Sequence, residues 1–128
     1  MDKKETEKLR EYLKTKNVLL ITESSTDRTS WKRLFADLGV PVGNIENGKT
    51  KQEALDHIEQ DTVDIIFASY IFHDEPIYDI LDAHILKYPN RAEVQFYVVS
   101  GVNSLTAASD AAEREIDGFL IKPYNKTL

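Results

Sequence analysis

The sequence predicts an α/β fold, a three-layer sandwich with helices on both faces of a five-stranded parallel sheet. Three observations carry this. Short apolar runs at 18–21, 64–68, 94–99 and 119–121 lack the alternation of a half-exposed strand and read as strands covered on both faces. The segments between them place apolar residues three and four apart, the helical period. Strand-like and helix-like segments alternate strictly, which argues for parallel strands joined by right-handed helical crossovers.

The elements follow in order. Residues 3–16 are charged and free of Gly and Pro, with Leu9, Tyr12 and Leu13 forming one narrow apolar stripe. They predict an extra amphipathic helix over 1–16, ahead of a main domain over 17–128. Val18 to Ile21 is the first strand. Ser24, Ser25, Thr26 and Asp27 offer N-caps to a helix carrying Trp31, Leu34, Phe35 and Leu38 and stopping at Gly39. Val42 to Ile45 predicts a weak second strand, punctuated by Asn47-Gly48. A helix over about 50–60 turns Ala54, Leu55 and Ile58 inward.

After the third strand, Asp74-Glu75-Pro76 is expected to open a helix, with Asp74 as cap, Glu75 complementing the dipole and Pro76 in the first turn. Ile77, Ile80, Leu81 and Ile85 give that helix a core stripe; His57 and His84 read as surface or boundary residues. An Ala-rich helix is predicted over about 104–116, and Asp117-Gly118 turns the chain into the last strand.

Composition narrows the function. The 128 residues suffice for one domain with a sizeable core. A net charge of −6 speaks against direct nucleic-acid binding, which needs a basic face. The absence of cysteine excludes disulfides and thiolate metal sites, and fits a cytoplasmic location. No apolar run is long enough to span a membrane, and residues 1–5 lack the apolar stretch of a signal peptide.

In open parallel sheets, sites form at the carboxyl ends of the strands. Those ends carry Thr22 and Glu23, then Ser69, Ser100 and Lys122. Three segments stand out: Ile21 to Arg28, Asp64 to Ser69, and Phe119-Leu120-Ile121-Lys122-Pro123-Tyr124. Together they resemble the receiver domain of bacterial two-component response regulators, the CheY-like fold, over roughly residues 17–128. The resemblance implies a flavodoxin-like strand order of 2-1-3-4-5. It also implies roles: a phosphoacceptor carboxylate at the position of Ser69, and a Mg²⁺-binding acid pair at Thr22 and Glu23, helped by the carbonyl of Ile71. Phosphoryl contacts would fall to Ser100 and Lys122, and a switching aromatic to Phe119.

The chain departs from that pattern where the chemistry is most demanding. Ser69 and Thr22 stand where carboxylates are expected, leaving Glu23 alone of three acids. A serine hydroxyl is a poor nucleophile without an activating base, and Mg²⁺ favours carboxylates. Mg²⁺ binding is therefore expected to be weak or absent, with Glu23 the one weak metal candidate and no other cofactor. His73 stands where the family usually has Pro, so the loop after strand three is expected to be reshaped.

These departures point to a pseudo-receiver: a non-enzymatic module of phosphorylation-independent signalling in a two-component-like pathway. Its partner would be a protein, a kinase or an output domain, and a homodimer is compatible. Lys122 is expected to bridge Glu23 rather than keep an anion site with Ser100, and Phe119 to serve as core. The alternatives are an unconventional receiver using Glu23 or Asp74 as phosphoacceptor, or a small-molecule-binding flavodoxin-like domain. The second is weakened because no Gly-rich phosphate loop follows strand one and Ser24 to Thr26 are best used as caps.

Only Tyr124 to Leu128 follow Lys-Pro, too few for the family's fifth helix, which is expected to be shortened or missing. The N-terminal helix is expected to take part of its place, with Leu9, Tyr12 and Leu13 against the sheet or the first domain helix. Alternatively it projects and dimerises, or the chain is a piece of a longer protein. If the family's usual interaction face is used, Ala107, Ala111, Phe119 and Tyr124 are the candidates.

Overall fold

The computed structural model of the chain describes residues 2–60, 62–89, 93–101 and 116–121. Helix α1 (Lys3–Leu13) leads into β1 (Val18–Ile21), α2 (Ser25–Leu38), β2 (Ile45–Gly48), α3 (Lys51–Gln60) and β3 (Ile65–Ser69). Two short strands, β4 (Ile71–Phe72) and β5 (Glu75–Pro76), precede α4 (Tyr78–Lys87), β6 (Gln95–Ser100) and β7 (Gly118–Ile121). The main sheet is wholly parallel, in the order β2-β1-β3-β6-β7. Its five strands, counted along the chain, thus lie in the expected order 2-1-3-4-5.

Local chemistry sets the boundaries. The Asp2 carboxylate accepts the Glu5 N–H at 2.8 Å and opens α1. Ser24 does the same for α2, accepting from Asp27 N–H at 3.2 Å. Gly39 closes α2 at φ 120, donating its N–H to the carbonyls of Phe35 and Ala36. Asp117 accepts the Phe96 N–H at 2.6 Å and donates its own N–H to the Phe96 carbonyl, locking β7 beside β6.

The core lies on both faces of the sheet. On one face Leu13, Val18, Leu20, Trp31, Phe35, Ile65 and Phe67 pack together, with Trp31 and Phe35 edge-on to Phe67 at 4.9 and 5.2 Å between ring centres. On the other, Leu19, Ile21 and Ile66 meet Ala54 and Ile58 of α3 and Ile80 and Leu81 of α4. Helix α1 is docked on its own domain through Leu13 and Leu9, against α2, while Tyr12 is half exposed. Its backbone at Arg10 comes so near Gly39 that a Cβ there would lie 3.1 Å from the Arg10 Cα. The helix expected over 104–116, the shortened fifth helix, Lys122 and the candidates Ala107, Ala111 and Tyr124 lie outside the described residues.

Three expectations are corrected. The second strand is not Val42 to Ile45: Val42–Asn44 is a 3₁₀ turn after Pro41, and Asn47 and Gly48 sit inside β2. Gly48 is there for closeness, since a Cβ at that position would meet the Ala54 side chain at 2.9 Å. Asp74 does not cap a helix: His73 and Asp74 have φ of 52 and 66 and form the turn of an antiparallel β4–β5 hairpin, so α4 starts only at Tyr78. His84, not Ile85, completes the buried stripe of α4. It is fully buried against the rings of Phe96 and Tyr88, whereas Ile85 is 38% exposed, one helical step too far round.

Candidate functional site

The carboxyl ends of β1, β3 and β6 converge on a cleft of about 280 Å³. Its walls are Thr22, Glu23, Ser24, Asp27, Ser69, Ile71, Val99, Ser100 and Gly101. The sheet register brings Thr22, Ser69 and Ser100 together, since each follows or ends a neighbouring parallel strand. Thr22 and Ser100 are buried and Ser69 is partly so.

The floor of the cleft is made of hydroxyls. Ser69 Oγ donates to Thr22 Oγ1 at 3.1 Å, and Thr22 Oγ1 also accepts the Ser24 N–H at 3.2 Å. The Thr22 carbonyl accepts from Arg28 Nη1 at 3.1 Å, tying the end of β1 to the first turns of α2. The positions where the resemblance implies an attacking carboxylate and its neighbouring acid are thus bonded to each other as alcohols.

Glu23, at the rim of the cleft, is engaged by the next loop. It accepts the backbone N–H of His73 at 2.9 Å and lies 3.2 Å from His73 Nδ1. His73 Nε2 lies 2.8 Å from the carbonyl of Lys49. The expected bridge from Lys122 to Glu23 falls outside the described residues; among those described, it is the His73 imidazole that faces this carboxylate. Phe119 is half buried with its ring 6.4 Å from that of Tyr70, and Tyr70 in turn meets Tyr78, with hydroxyls 3.2 Å apart.

The donor set does not fit a resident Mg²⁺. Such an ion needs rigid octahedral oxygen ligands, carboxylates foremost. The cleft offers two carboxylates, Glu23 and Asp27, and the first is engaged by His73. Among the described residues no group of three or more His, Asp or Glu side chains is placed to hold a metal.

Thr22, Glu23, Ser69 and Ser100, which the sequence sets at strand ends, all line this one cleft. Sequence reasoning missed Asp27 as a wall of the cleft, having read it only as a cap, and gave Arg28 no role. It also missed the Glu23–His73 contact: the two residues are 50 positions apart and no local spacing links them. The one signal was His73-Asp74 itself, two residue types that tolerate positive φ in a tight turn.

No family model matches the chain, and no curated protein does. Solved structures do. The non-phosphorylated HemR receiver domain of Leptospira biflexa matches with a TM-score of 0.74 at 15% identity, over 88% of this chain and 86% of that one. The chemotaxis protein CheY4 of Vibrio cholerae matches with a TM-score of 0.72 at 18% identity, over 86% and 88%. A response regulator of Burkholderia pseudomallei, solved with a phosphorylated aspartic acid, calcium and citrate, matches with a TM-score of 0.73 at 20% identity. This chain is covered over 86% there, and spans 61% of that longer protein. At these identities the likeness speaks for architecture, and in architecture the chain has the CheY-like receiver fold.

Proposed function

We propose that this domain is a pseudo-receiver: a docking or input module that signals by protein–protein contact and accepts no phosphoryl group. It would act in the cytoplasm on a kinase or an output domain and would catalyse no reaction. The observation that supports this is the hydroxyl pair at the cleft floor, Ser69 on Thr22 at 3.1 Å, where an aspartate nucleophile and a metal-binding acid would be needed. An alcohol bonded to an alcohol has no base to activate it.

The test is direct. The protein is incubated with a small phosphodonor and Mg²⁺, and followed by intact mass and by Trp31 fluorescence. Trp31 is buried against Phe67, so a change of packing around β3 would reach it. An unchanged mass and unchanged emission are expected; a stoichiometric phosphoryl adduct would overturn the proposal.

One observation favours a second reading. Glu23 lines the cleft and is an oxygen nucleophile of the right class. An adduct that is labile to hydroxylamine and disappears in Glu23→Gln would establish an unconventional receiver instead.

A further inference from the structure

We propose that His73 is a clasp that pins the β4–β5 hairpin beside the cleft, so that one residue fixes the connection from β3 to α4. The clasp goes beyond the signalling reading and rests on it only for what the pinned hairpin is used for.

The hairpin turn holds two consecutive non-glycine residues at positive φ, His73 at 52 and Asp74 at 66; both types tolerate this region better than most, but neither enters it without cost. Such a conformation persists when its surroundings over-determine it. The ladder itself is too short to do so. It pairs only Ile71 with Pro76 and Phe72 with Glu75, and Pro76 has no N–H to give.

What the turn does have is the His73 side chain. Glu23 faces the ring's Nδ1 at 3.2 Å and also accepts the residue's backbone N–H at 2.9 Å. On the far side of the ring, Nε2 meets the Lys49 carbonyl at 2.8 Å. The carboxylate and the carbonyl are both acceptors, so a ring N–H facing either one completes that contact. The segments that follow β1, β2 and β3 therefore meet on one imidazole. Buried Phe72 anchors its base, 4.5 Å away between ring centres. The charged groups in the neighbouring crevice, Lys51, Glu75 and Asp79, do not compete for it in this arrangement: Lys51 and Asp79 are bonded to each other at 2.7 Å.

One consequence follows. Glu23 is an acid of the cleft and also the anchor of the hairpin. Anything that recruits its carboxylate, such as an arginine of a docking protein, must release His73 and free the loop.

The clasp is tested by hydrogen–deuterium exchange on the full chain, with no phosphodonor present, so its outcome is separate from that of the phosphorylation test. His73→Gly removes the ring while relieving the positive-φ strain. If the clasp holds the hairpin, amide exchange over residues 70–77 rises about fivefold, in keeping with loss of partly exposed hydrogen-bonded contacts. Glu23→Ala raises exchange at least as much, because it removes both the partner of the ring and the acceptor of the His73 N–H. Unchanged or slower exchange in His73→Gly overturns the proposal, because the turn would then be held by its backbone alone. Exchange in β6 serves as the fold control. If Glu23→Ala speeds that too, His73→Gly decides by itself.

Discussion

Thr22 and Ser69 show how a single atom type changes a site. With hydroxyls the two side chains sit 3.1 Å apart and share a proton; with carboxylates the same distance would bring two negative charges together beside Glu23. The double variant Thr22→Asp/Ser69→Asp should therefore lose about 1–3 kcal/mol of stability at neutral pH without cations. Mg²⁺ should restore much of that loss, while leaving the parent protein's melting temperature unchanged. Thermal melts with and without Mg²⁺ check both statements. Gly39 makes a second point at this scale. At φ 120 and with the Arg10 backbone against it, Gly39→Ala should cost about 1–2 kcal/mol in chemical denaturation, through strain and displacement of α1 together. The hydroxyls at Thr22, Ser69 and Ser100 were legible because each follows an apolar run that ends on a polar residue. Glu23 with His73 was not, because that contact is made by the tertiary fold.

Among the elements, those with an unbroken apolar run or stripe were read well and those set by backbone geometry were not. β1 and β3 are buried on both faces as their sequences demand. β2 was displaced by three residues because an edge strand needs only Ile45 to face the core, and the 3₁₀ turn ahead of it is dictated by Pro41. The hairpin was taken for a helix start because Asp-Glu-Pro is a common opening; positive φ at His73 and Asp74 decides otherwise. The late start of α4 has a visible brace. Lys51, at the head of α3, bonds Asp79 in the first turn of α4 at 2.7 Å, which raises the lysine's pKa and lowers the carboxyl's. A lowered carboxyl pKa stabilises the fold above the ordinary value of 3.8 and ceases to do so as pH falls through the folded value. The difference in urea midpoint between the parent and Asp79→Asn should thus be small at neutral pH, fade as pH falls below 3.8 through the folded value, and vanish also in about 1 M salt.

At the scale of the whole molecule, the parallel sheet with a core on each face was legible because a strand covered on both sides leaves a continuous apolar run in the sequence. The position of α1 was legible only in part: Leu9 and Leu13 mark its buried stripe, but its approach to α2 depends on a glycine with no side chain to announce it. One residue reports on the assembly of this face. Tyr97 of β6 lies over Gly118 of β7, where an added Cβ would fall 2.5 Å from its ring, and its hydroxyl donates to Gln95 at 2.9 Å. Burial raises its pKa above 10.0, and the charge of Asp117 and the nearby Tyr12 push the same way. A raised tyrosine pKa means that the folded state holds the proton longer than the unfolded chain. The stabilisation is therefore complete below the ordinary value and is lost as pH rises from there through the folded value. Stability measured by urea denaturation should be level with respect to this group up to about pH 10 and then fall. Tyr97→Phe should fall less steeply over the same range, with its ring still packed on Gly118. Equal slopes in the two proteins would mean that β6, β7 and α1 do not close around the tyrosine as they are placed here.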